Sequence, residues 1–211
     1  MLRAQKHAEL VLLQQAAVDG HIRLKYLDES GFDSWSPPSY SWSLMGTQKR
    51  QEQTPKRTRR LSILGLWEPG AQMSYGLALG SITSATYIRF MDWQASCANR
   101  LFQRTGIATV VVQDNASTHT SKAVRQRLPI WHAKGLDFFQ LPPYCSEMNL
   151  IETEWRQLKA HEIRGAMFQD SYDLAMGVIA GLKGRAAKAG YALKRFSFAS
   201  RRLANPKFLT T

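Results

Sequence analysis

The stretch IATVVVQD, residues 107–114, decides the fold class of this chain. Its residues Ile107 to Val112 form a nearly continuous apolar run that is rich in β-branched side chains. Such a run, without the polar alternation of a half-exposed strand, predicts a central strand with both faces covered. Asp114 lies just past the end of the run, where open α/β sheets commonly place groups that bind ligands. The stretch therefore predicts an α/β fold with a candidate site at Asp114.

Helical and strand-like segments alternate on both sides of this strand. Residues 2–18 are predicted to form a helix that stops before Gly20, and His21 to Asp28 alternates as a strand that ends at Asp28. The segment from Ser30 to Pro55 has turn-forming composition and is predicted to be a loop or β-ribbon. Further strands are predicted at 61–67, 74–79 and 136–141, and further helices at 84–103, at 121–134 with a kink or division at Pro129, at 149–164 and at 171–183. This order predicts a mixed α/β sheet of about five strands flanked by helices.

The composition points to a nucleic-acid partner. The 211 residues include 28 Lys and Arg against 16 Asp and Glu, which gives a formal net charge of +12. A field of that size suits a polyanion such as DNA or RNA. No stretch approaches the roughly 18 consecutive apolar residues of a membrane-spanning helix, and the N-terminal residues are too polar for a secretory signal. Cys97 and Cys145 lack the paired spacing of a zinc site or a disulfide framework, so we expect both to be reduced.

Three acidic residues are candidates for a shared metal site. Asp28 and Asp114 each follow a predicted strand, and Glu152 begins a helix after the last strand. Carboxylates that converge repel one another unless cations neutralise them, and hard divalent ions with oxygen ligands do so. Two such ions about 4 Å apart can activate a water or hydroxyl and stabilise the leaving oxygen at a phosphodiester. An Asp at a strand end can also cap the next turn, so position alone does not decide between a metal site and a cap.

The residues around the three acids carry a family resemblance. The segments are YLDESGF at 26–32, VVVQDNASTHTS at 110–121 and LPPYCSEMNLIETEWRQLK at 141–159. In this order and at these intervals they resemble the bacterial insertion-sequence branch of the Tc/mariner transposases, whose catalytic domains carry a DDE triad. The third segment departs from the family pattern PYSPELNPIE at Cys145, Ser146, Met148 and Leu150 but keeps Asn149 and Glu152. The resemblance covers roughly residues 20–170.

The resemblance implies a ribonuclease H-like fold and a DNA transposase with Asp28, Asp114 and Glu152 as catalytic and metal-binding residues. It implies two Mg²⁺ (or Mn²⁺) ions, with Asp28 bridging both, Asp114 binding one and Glu152 the other. Hydrolysis would yield a free 3′-hydroxyl that later attacks target DNA. The implied partners are transposon-end and target DNA and a second copy of the chain in a homodimer, and the implied location is the nucleoid of a bacterial cytoplasm, with no membrane association.

We expect three regions along the chain. Residues 1–20 are an N-terminal helix or linker remnant, residues 21–190 are the catalytic domain with a basic loop insertion at about 30–60, and residues 191–211 are a basic C-terminal tail. Family members place helix-turn-helix DNA-binding domains ahead of the catalytic domain, so a separate or upstream region of that kind is an expected partner. Because Asp28 lies so near the start, we expect the chain to be a fragment, a second reading frame or a degraded copy.

Several polar residues beyond the triad are candidates for DNA contacts. They are Lys49, Arg50, Lys56, Arg57, Arg59 and Arg60 in one basic segment, and Asn115 and His119 in the second motif. For Asn115 and His119, a local hydrogen bond or the orientation of a metal ligand are open alternatives. Glu29 is expected on the sheet face opposite Asp28. Glu147 and Glu154 are fallbacks for Glu152, although Glu154 would face away from it on the helix.

Two other functions are compatible with these residues. One is a noncatalytic DNA-binding or dimerising transposase remnant that competes with the full-length protein, and the intact acids speak against it. The other is a ribonuclease H-like DNA repair or recombination nuclease, which would share the fold and the metals but not the DNAS and NLIE contexts of Asp114 and Glu152.

Overall fold

A six-stranded mixed sheet organises the chain, and a computed structural model describes residues 2–34, 45 and 59–198 of it. The strands are β1 (Ile22–Phe32), β2 (Leu61–Glu68), β3 (Gln72–Leu79), β4 (Ala108–Gln113), β5 (Leu136–Gln140) and β6 (Ala192–Phe196). Their spatial order is β5-β4-β1-β2-β3-β6. The pairs β1–β2 and β2–β3 are antiparallel, whereas β1–β4, β4–β5 and β3–β6 are parallel.

Helices cover both faces of this sheet. They are α1 (Leu2–Val18), α2 (Ser84–Thr105), α3 (Ser117–Thr120), α4 (Lys122–His132), α5 (Ile151–Leu158) and α6 (Ser171–Ala189), with a 3₁₀ turn at Ser146–Met148 and a π-helical segment at Lys159–Ile163. The ends of α2 show ordinary capping chemistry. The Thr83 hydroxyl accepts a hydrogen bond from the Thr86 amide at the start of α2, and Gly106 ends that helix in the left-handed conformation.

The core divides into two layers, one on each face of the sheet. On one face, α1, α5 and α6 bury residues such as Tyr26, Trp155 and Leu174. On the other face, α2 and α4 bury residues such as Phe90 and Trp131. The neighbouring Val111 and Val112 of β4 are both fully buried, one in each layer. The prediction of a central strand covered on both faces is therefore confirmed.

The structure differs from the sequence-based expectation in three elements. β1 continues beyond Asp28 to Phe32, because antiparallel pairing with β2 extends the strand after its pairing with β4 has ended. The helix α4 runs through Pro129 without division, and the fully buried Trp131 anchors its last turn. Residues 192–196, which we expected in a basic tail, form a sixth strand on β3. An edge strand tolerates cations that face solvent, which is why its composition resembles a tail.

Within the described residues, no helix combines the length and the apolar character needed to cross a membrane.

Candidate active site

The register of the sheet brings Asp28 and Asp114 side by side. The parallel pairing of β1 with β4 matches Tyr26 with Val112, and each aspartate lies two residues further along its own strand. Asp28 is fixed in place because β1 continues there in antiparallel pairing, opposite Gly65 of β2. Asp114 follows the last residue of β4. The two carboxylates therefore meet where the parallel pairing of β1 with β4 ends, on the carboxyl-end side at which α/β sheets bind ligands.

The third acid, Glu152, lies in the first turn of α5. Gly65 allows this helix to approach the sheet, because a Cβ at that position would overlap the ring of Trp155 and crowd Ile151. Trp155 lies three residues after Glu152, so the two residues are neighbours on the surface of α5. The space left by Gly65 therefore determines how closely this helix, and with it Glu152, can approach the sheet.

Asn149 ties the start of α5 to the first strand, a role that sequence reasoning did not assign. Its Nδ2 donates a hydrogen bond of 2.9 Å to the carbonyl oxygen of Leu27, the residue before Asp28. Asn149 is almost fully buried, and its Oδ1 has no hydrogen-bond partner among the residues that the structure describes. The retained Asn in the third motif was the only sequence signal for this contact, which joins residues far apart in the chain.

One cavity of about 330 Å³ contains all three acids of the predicted triad. Its lining residues are Asp28, Asp114, Asn115, Ala116, Leu141, Pro142, Pro143, Tyr144, Cys145, Ser146, Asn149 and Glu152. A larger cavity of about 690 Å³ lies between α1 and the Ser146–Met148 turn. Its charged lining includes Arg3 and Glu147, which pair with each other, so it offers no comparable set of free carboxylates. The smaller cavity is the candidate site.

The electrostatics of Asp28 reflect its crowded position. Burial raises the pKa of Asp28 to about 7, and the negative charges of Glu152, Asp114 and Glu29 act in the same direction. A hydrogen bond from the Glu29 backbone opposes them. Glu152 and Asp114 are thus close enough to Asp28 to destabilise its charged form, as expected for carboxylates that share a cavity without a cation.

The donor set fits a hard divalent cation. Asp114 Oδ1 accepts hydrogen bonds from His119 and from the Ala116 amide, whereas Oδ2 accepts none from the described part of the chain. The cavity therefore offers carboxylate oxygens and the amide oxygen of Asn149, which has no hydrogen-bond partner among the described residues. Oxygen ligands of this kind are those that Mg²⁺ and Mn²⁺ prefer. Among the described residues, no three His, Cys, Asp or Glu side chains are already drawn together tightly enough to hold an ion.

His119 holds Asp114 rather than lying on the surface, so its predicted contact with DNA is corrected. The side chain is almost fully buried, and its ring packs on Tyr87 with centroids 4.6 Å apart. Nδ1 forms a hydrogen bond of 2.9 Å with Asp114 Oδ1. Nε2 lies 3.5 Å from Glu29 Oε1, longer than an ordinary hydrogen bond, so these two groups attract each other through charge. Burial alone lowers the pKa of His119, but the bond to Asp114 and the two carboxylate charges outweigh it and raise the pKa to about 9.

The other acids near the triad have partners outside the cavity. Glu154, on the far side of α5, is buried and accepts hydrogen bonds from Arg185 (2.8 Å) and from the Tyr191 hydroxyl (3.0 Å). Glu147 pairs with Arg3 at 2.6 Å on the surface. Neither takes the place of Glu152. Glu29 lies on the face opposite Asp28, as expected from strand alternation.

Only part of the expected DNA-contacting set lies in the described chain. Arg59 and Arg60 are exposed just before β2 begins. Asn115 is exposed as well, and its Nδ2 donates a hydrogen bond of 2.6 Å to the Leu141 carbonyl, which joins the ends of β4 and β5. The remaining predicted contacts lie outside the described residues: Lys49, Arg50, Lys56 and Arg57.

The sheet order and the position of the carboxylates define a ribonuclease H-like α/β protein. The sequence pattern of the DDE superfamily endonucleases matches residues 23–175, which is most of the chain, and the chain therefore belongs to that family. No curated protein sequence matches the chain.

Solved structures of the Mos1 mariner transposase share the fold. The matches include a Mos1 paired-end complex with Mn (TM-score 0.63, 14% identity), a paired-end complex with Mg (0.60, 20%) and a strand transfer complex (0.59, 16%). They cover 88–89% of this chain but only 54–60% of the Mos1 chains. This likeness confirms the predicted ribonuclease H-like fold, and the chain spans little more than half the length of those proteins.

Proposed function

We propose that the chain is the catalytic domain of a DNA transposase of the Tc/mariner superfamily, of the insertion-sequence type, and that Asp28, Asp114 and Glu152 are its catalytic residues. The observation that carries the proposal is the convergence of these acids, from two strands and a helix, on one cavity in a chain of the DDE endonuclease family. The net charge of +12 suits DNA as the partner. Solved Mos1 structures with a transposon end, with Mn and with Mg are consistent with that substrate and with divalent metal use.

The proposed chemistry assigns each residue a task. Asp28 would hold both of two Mg²⁺ or Mn²⁺ ions, Asp114 one of them and Glu152 the other. When bound, such ions activate the attacking water or hydroxyl and stabilise the leaving oxygen. His119 fixes one oxygen of Asp114 and leaves the other for a ligand. Asn149 holds the start of α5 against Leu27.

The reaction proceeds in two stages. Hydrolysis breaks the bond between phosphorus and the 3′-oxygen at the transposon end, which leaves a 3′-hydroxyl and a 5′-phosphate. In strand transfer, that hydroxyl attacks a phosphodiester of target DNA and displaces its 3′-oxygen. We also propose a homodimer as the active assembly, a helix-turn-helix region as the source of end recognition, and the bacterial nucleoid as the place of action.

Cleavage of a supercoiled plasmid and of a labelled duplex with Mg²⁺ or Mn²⁺ tests the proposal. Wild type is expected to nick DNA only with a divalent metal, and Asp114→Asn is expected to lose nicking while retaining DNA binding. Asp137→Asn is the matched control, because Asp137 lies near the opposite end of the parallel strands. DNA binding without metal-dependent nicking in wild type would favour the noncatalytic remnant instead.

A further inference from the structure

Tyr144 has a backbone conformation that its residue type does not favour. Its φ is 59°, and among the described residues it is the one non-glycine residue with a positive φ. In this left-handed region a Cβ lies too close to the following carbonyl oxygen, so glycine, asparagine and aspartate usually occupy it. Seven described glycines take positive φ elsewhere, whereas this loop has a bulky aromatic residue. The turn of the backbone therefore does not account for a tyrosine at this position.

The packing of the fold does not account for this tyrosine either. Tyr144 is fully exposed, at 101%. A tyrosine ring stabilises a fold through the apolar area that it removes from water, and a fully exposed ring removes none. The aromatic face of Tyr144 is therefore left for a ligand.

The ring lies beside the candidate site. Tyr144 belongs to the wall of the cavity that contains Asp28, Asp114 and Glu152. Because the residue lines this cavity and is also fully exposed, it forms part of the rim, where a bound molecule would pass from solvent to the carboxylates.

The loop that carries Tyr144 is held in place on both sides. Its neighbours Leu141 and Cys145 are almost fully buried. The Leu141 amide donates a hydrogen bond of 2.8 Å to the Gln113 carbonyl, and the Cys145 carbonyl accepts one from the 3₁₀ turn that follows. The two prolines at 142–143 restrict the backbone just before the tyrosine. The ring is thus presented from a fixed piece of chain, which lowers the entropy that a contact with it would cost.

We propose that Tyr144 stacks on a nucleobase of the DNA strand whose phosphodiester lies in the carboxylate cavity. The inference rests on the proposed function and adds a base contact to a site that otherwise acts on the backbone. A neutral ring cannot hold a phosphate by charge, but every base has a π-face on which an aromatic side chain stacks without reading sequence. Bases inside a duplex are covered by their neighbours, so the ring would take a base that is unpaired or drawn out of the stack.

Binding of a short fluorescein-labelled single strand of mixed sequence tests the contact. A second strand of equal length carries abasic nucleotides, so the two probes have the same phosphate charge and differ only in their bases. Anisotropy is measured in Ca²⁺, a cation that takes oxygen ligands, and a gel checks that both strands stay intact. Tyr144→Asn removes the ring and keeps a residue type that accepts positive φ. It is expected to reduce the preference for the base-bearing strand roughly five- to hundredfold, the effect of losing one base–aromatic stack.

Three further measurements separate stacking from other roles of Tyr144. Tyr144→Phe keeps the ring and is expected to keep the preference of wild type. In Tyr144→Asn, the affinity for the abasic strand and the slope of log affinity against log salt should match wild type, because no phosphate contact is lost. The melting temperature of this variant should be no lower than that of wild type, since the ring packs against nothing in the fold.

Tyr172→Asn is the matched control. Tyr172 is also exposed, but it lies in the first turn of α6 and is not part of the cavity wall. Its substitution is expected to leave the affinities for both strands unchanged.

Equal losses on the two strands in Tyr144→Asn would overturn the inference, as would the same loss of preference in Tyr144→Phe or Tyr172→Asn. A melting temperature of Tyr144→Asn well below that of wild type would also overturn it, because the ring would then serve the fold. A chain whose base preference depends on Tyr144 but which never nicks DNA with Mg²⁺ or Mn²⁺ would keep the inference and lose the proposed function. A chain that nicks DNA but binds both strands independently of Tyr144 would do the reverse.

Discussion

At the residue scale, Asp28 lies where its negative charge is costly in the metal-free protein. Burial and the charges of Glu152 and Asp114 raise its pKa to about 7, well above the ordinary value of 3.8. An acid whose pKa is raised on folding lowers the free energy of unfolding as pH rises from the ordinary value to the raised one. Above about pH 7 the folded protein carries the full cost of this charge, and a bound cation relieves it.

Asp28→Asn is therefore expected to stabilise the metal-free protein and to abolish its response to metal. At pH 8 in EDTA the variant should melt a few degrees above wild type, since about 1 kcal/mol corresponds to 2–4 °C in a chain of this size. Added Mg²⁺ or Mn²⁺ should raise the melting temperature of wild type but not of the variant. In the control Asp137→Asn the metal response should match wild type. A variant that melts below wild type in EDTA would contradict this account.

The hydrogen bond between His119 and Asp114 gives a second prediction at this scale. His119→Asn removes the ring that fixes Asp114 Oδ1 while the carboxylate itself stays in place. We expect Mn²⁺ affinity, measured by calorimetry, to fall roughly tenfold or more, as for other residues that orient metal ligands. His132→Asn is the control, because His132 is exposed and pairs with Asp137 instead. Unchanged Mn²⁺ affinity in a folded His119→Asn protein would show that Asp114 needs no such support.

At the scale of elements, α5 is the helix that positions Glu152 in the candidate site. Gly65 admits it to the sheet, Asn149 ties its start to β1, and Glu154 anchors its far side to α6 through Arg185. Removing one partner of a buried ion pair costs about 3–5 kcal/mol, because it leaves a buried charge unpaired. A helix of only eight residues is held in place by these contacts rather than by its own helical propensity.

Gly65→Ala is expected to move α5 and to impair catalysis more than folding. The new methyl group overlaps the Trp155 ring, and overpacking of this kind costs about 1–3 kcal/mol in urea unfolding. Because a displacement of about 1 Å can cost on the order of 100-fold in rate, nicking should fall by at least tenfold. Gly65→Ala combined with Trp155→Phe makes room for the methyl group and should recover part of the activity. Failure of this combination to recover any activity, with the fold intact, would rule out the steric explanation.

At the scale of the whole molecule, the parts of the fold that were predictable are those specified by local sequence. The apolar run before Asp114 defines its own strand, and the three acids lie in motifs that can be read directly. The role of Asn149 depends on its contact with Leu27, which is far away in sequence and meets it only when the sheet has formed. His119 holds Asp114 through a local contact, and only its approach to Glu29 is long-range. The strand β6 was missed because its pairing with β3 is likewise a long-range property.

The pairing of Phe32 with Leu61 means that residues 33–60 leave and re-enter the sheet at neighbouring points. The entropy of closing a connection changes by only about 0.6 kcal/mol for each doubling of its length, so the sheet is nearly indifferent to how long this connection is. Replacing residues 35–58 by a short Asn-Gly turn is expected to preserve cooperative urea unfolding within about 2 kcal/mol. The shortened chain would lose Lys49, Arg50, Lys56 and Arg57 but keep Arg60. A salt titration of DNA affinity for the full and shortened chains would therefore separate the contribution of these four residues from that of Arg60. A chain that no longer unfolds cooperatively would show that the connection belongs to the core. If it unfolds as expected, this connection is a position where evolution can lengthen, shorten or exchange sequence without rebuilding the sheet.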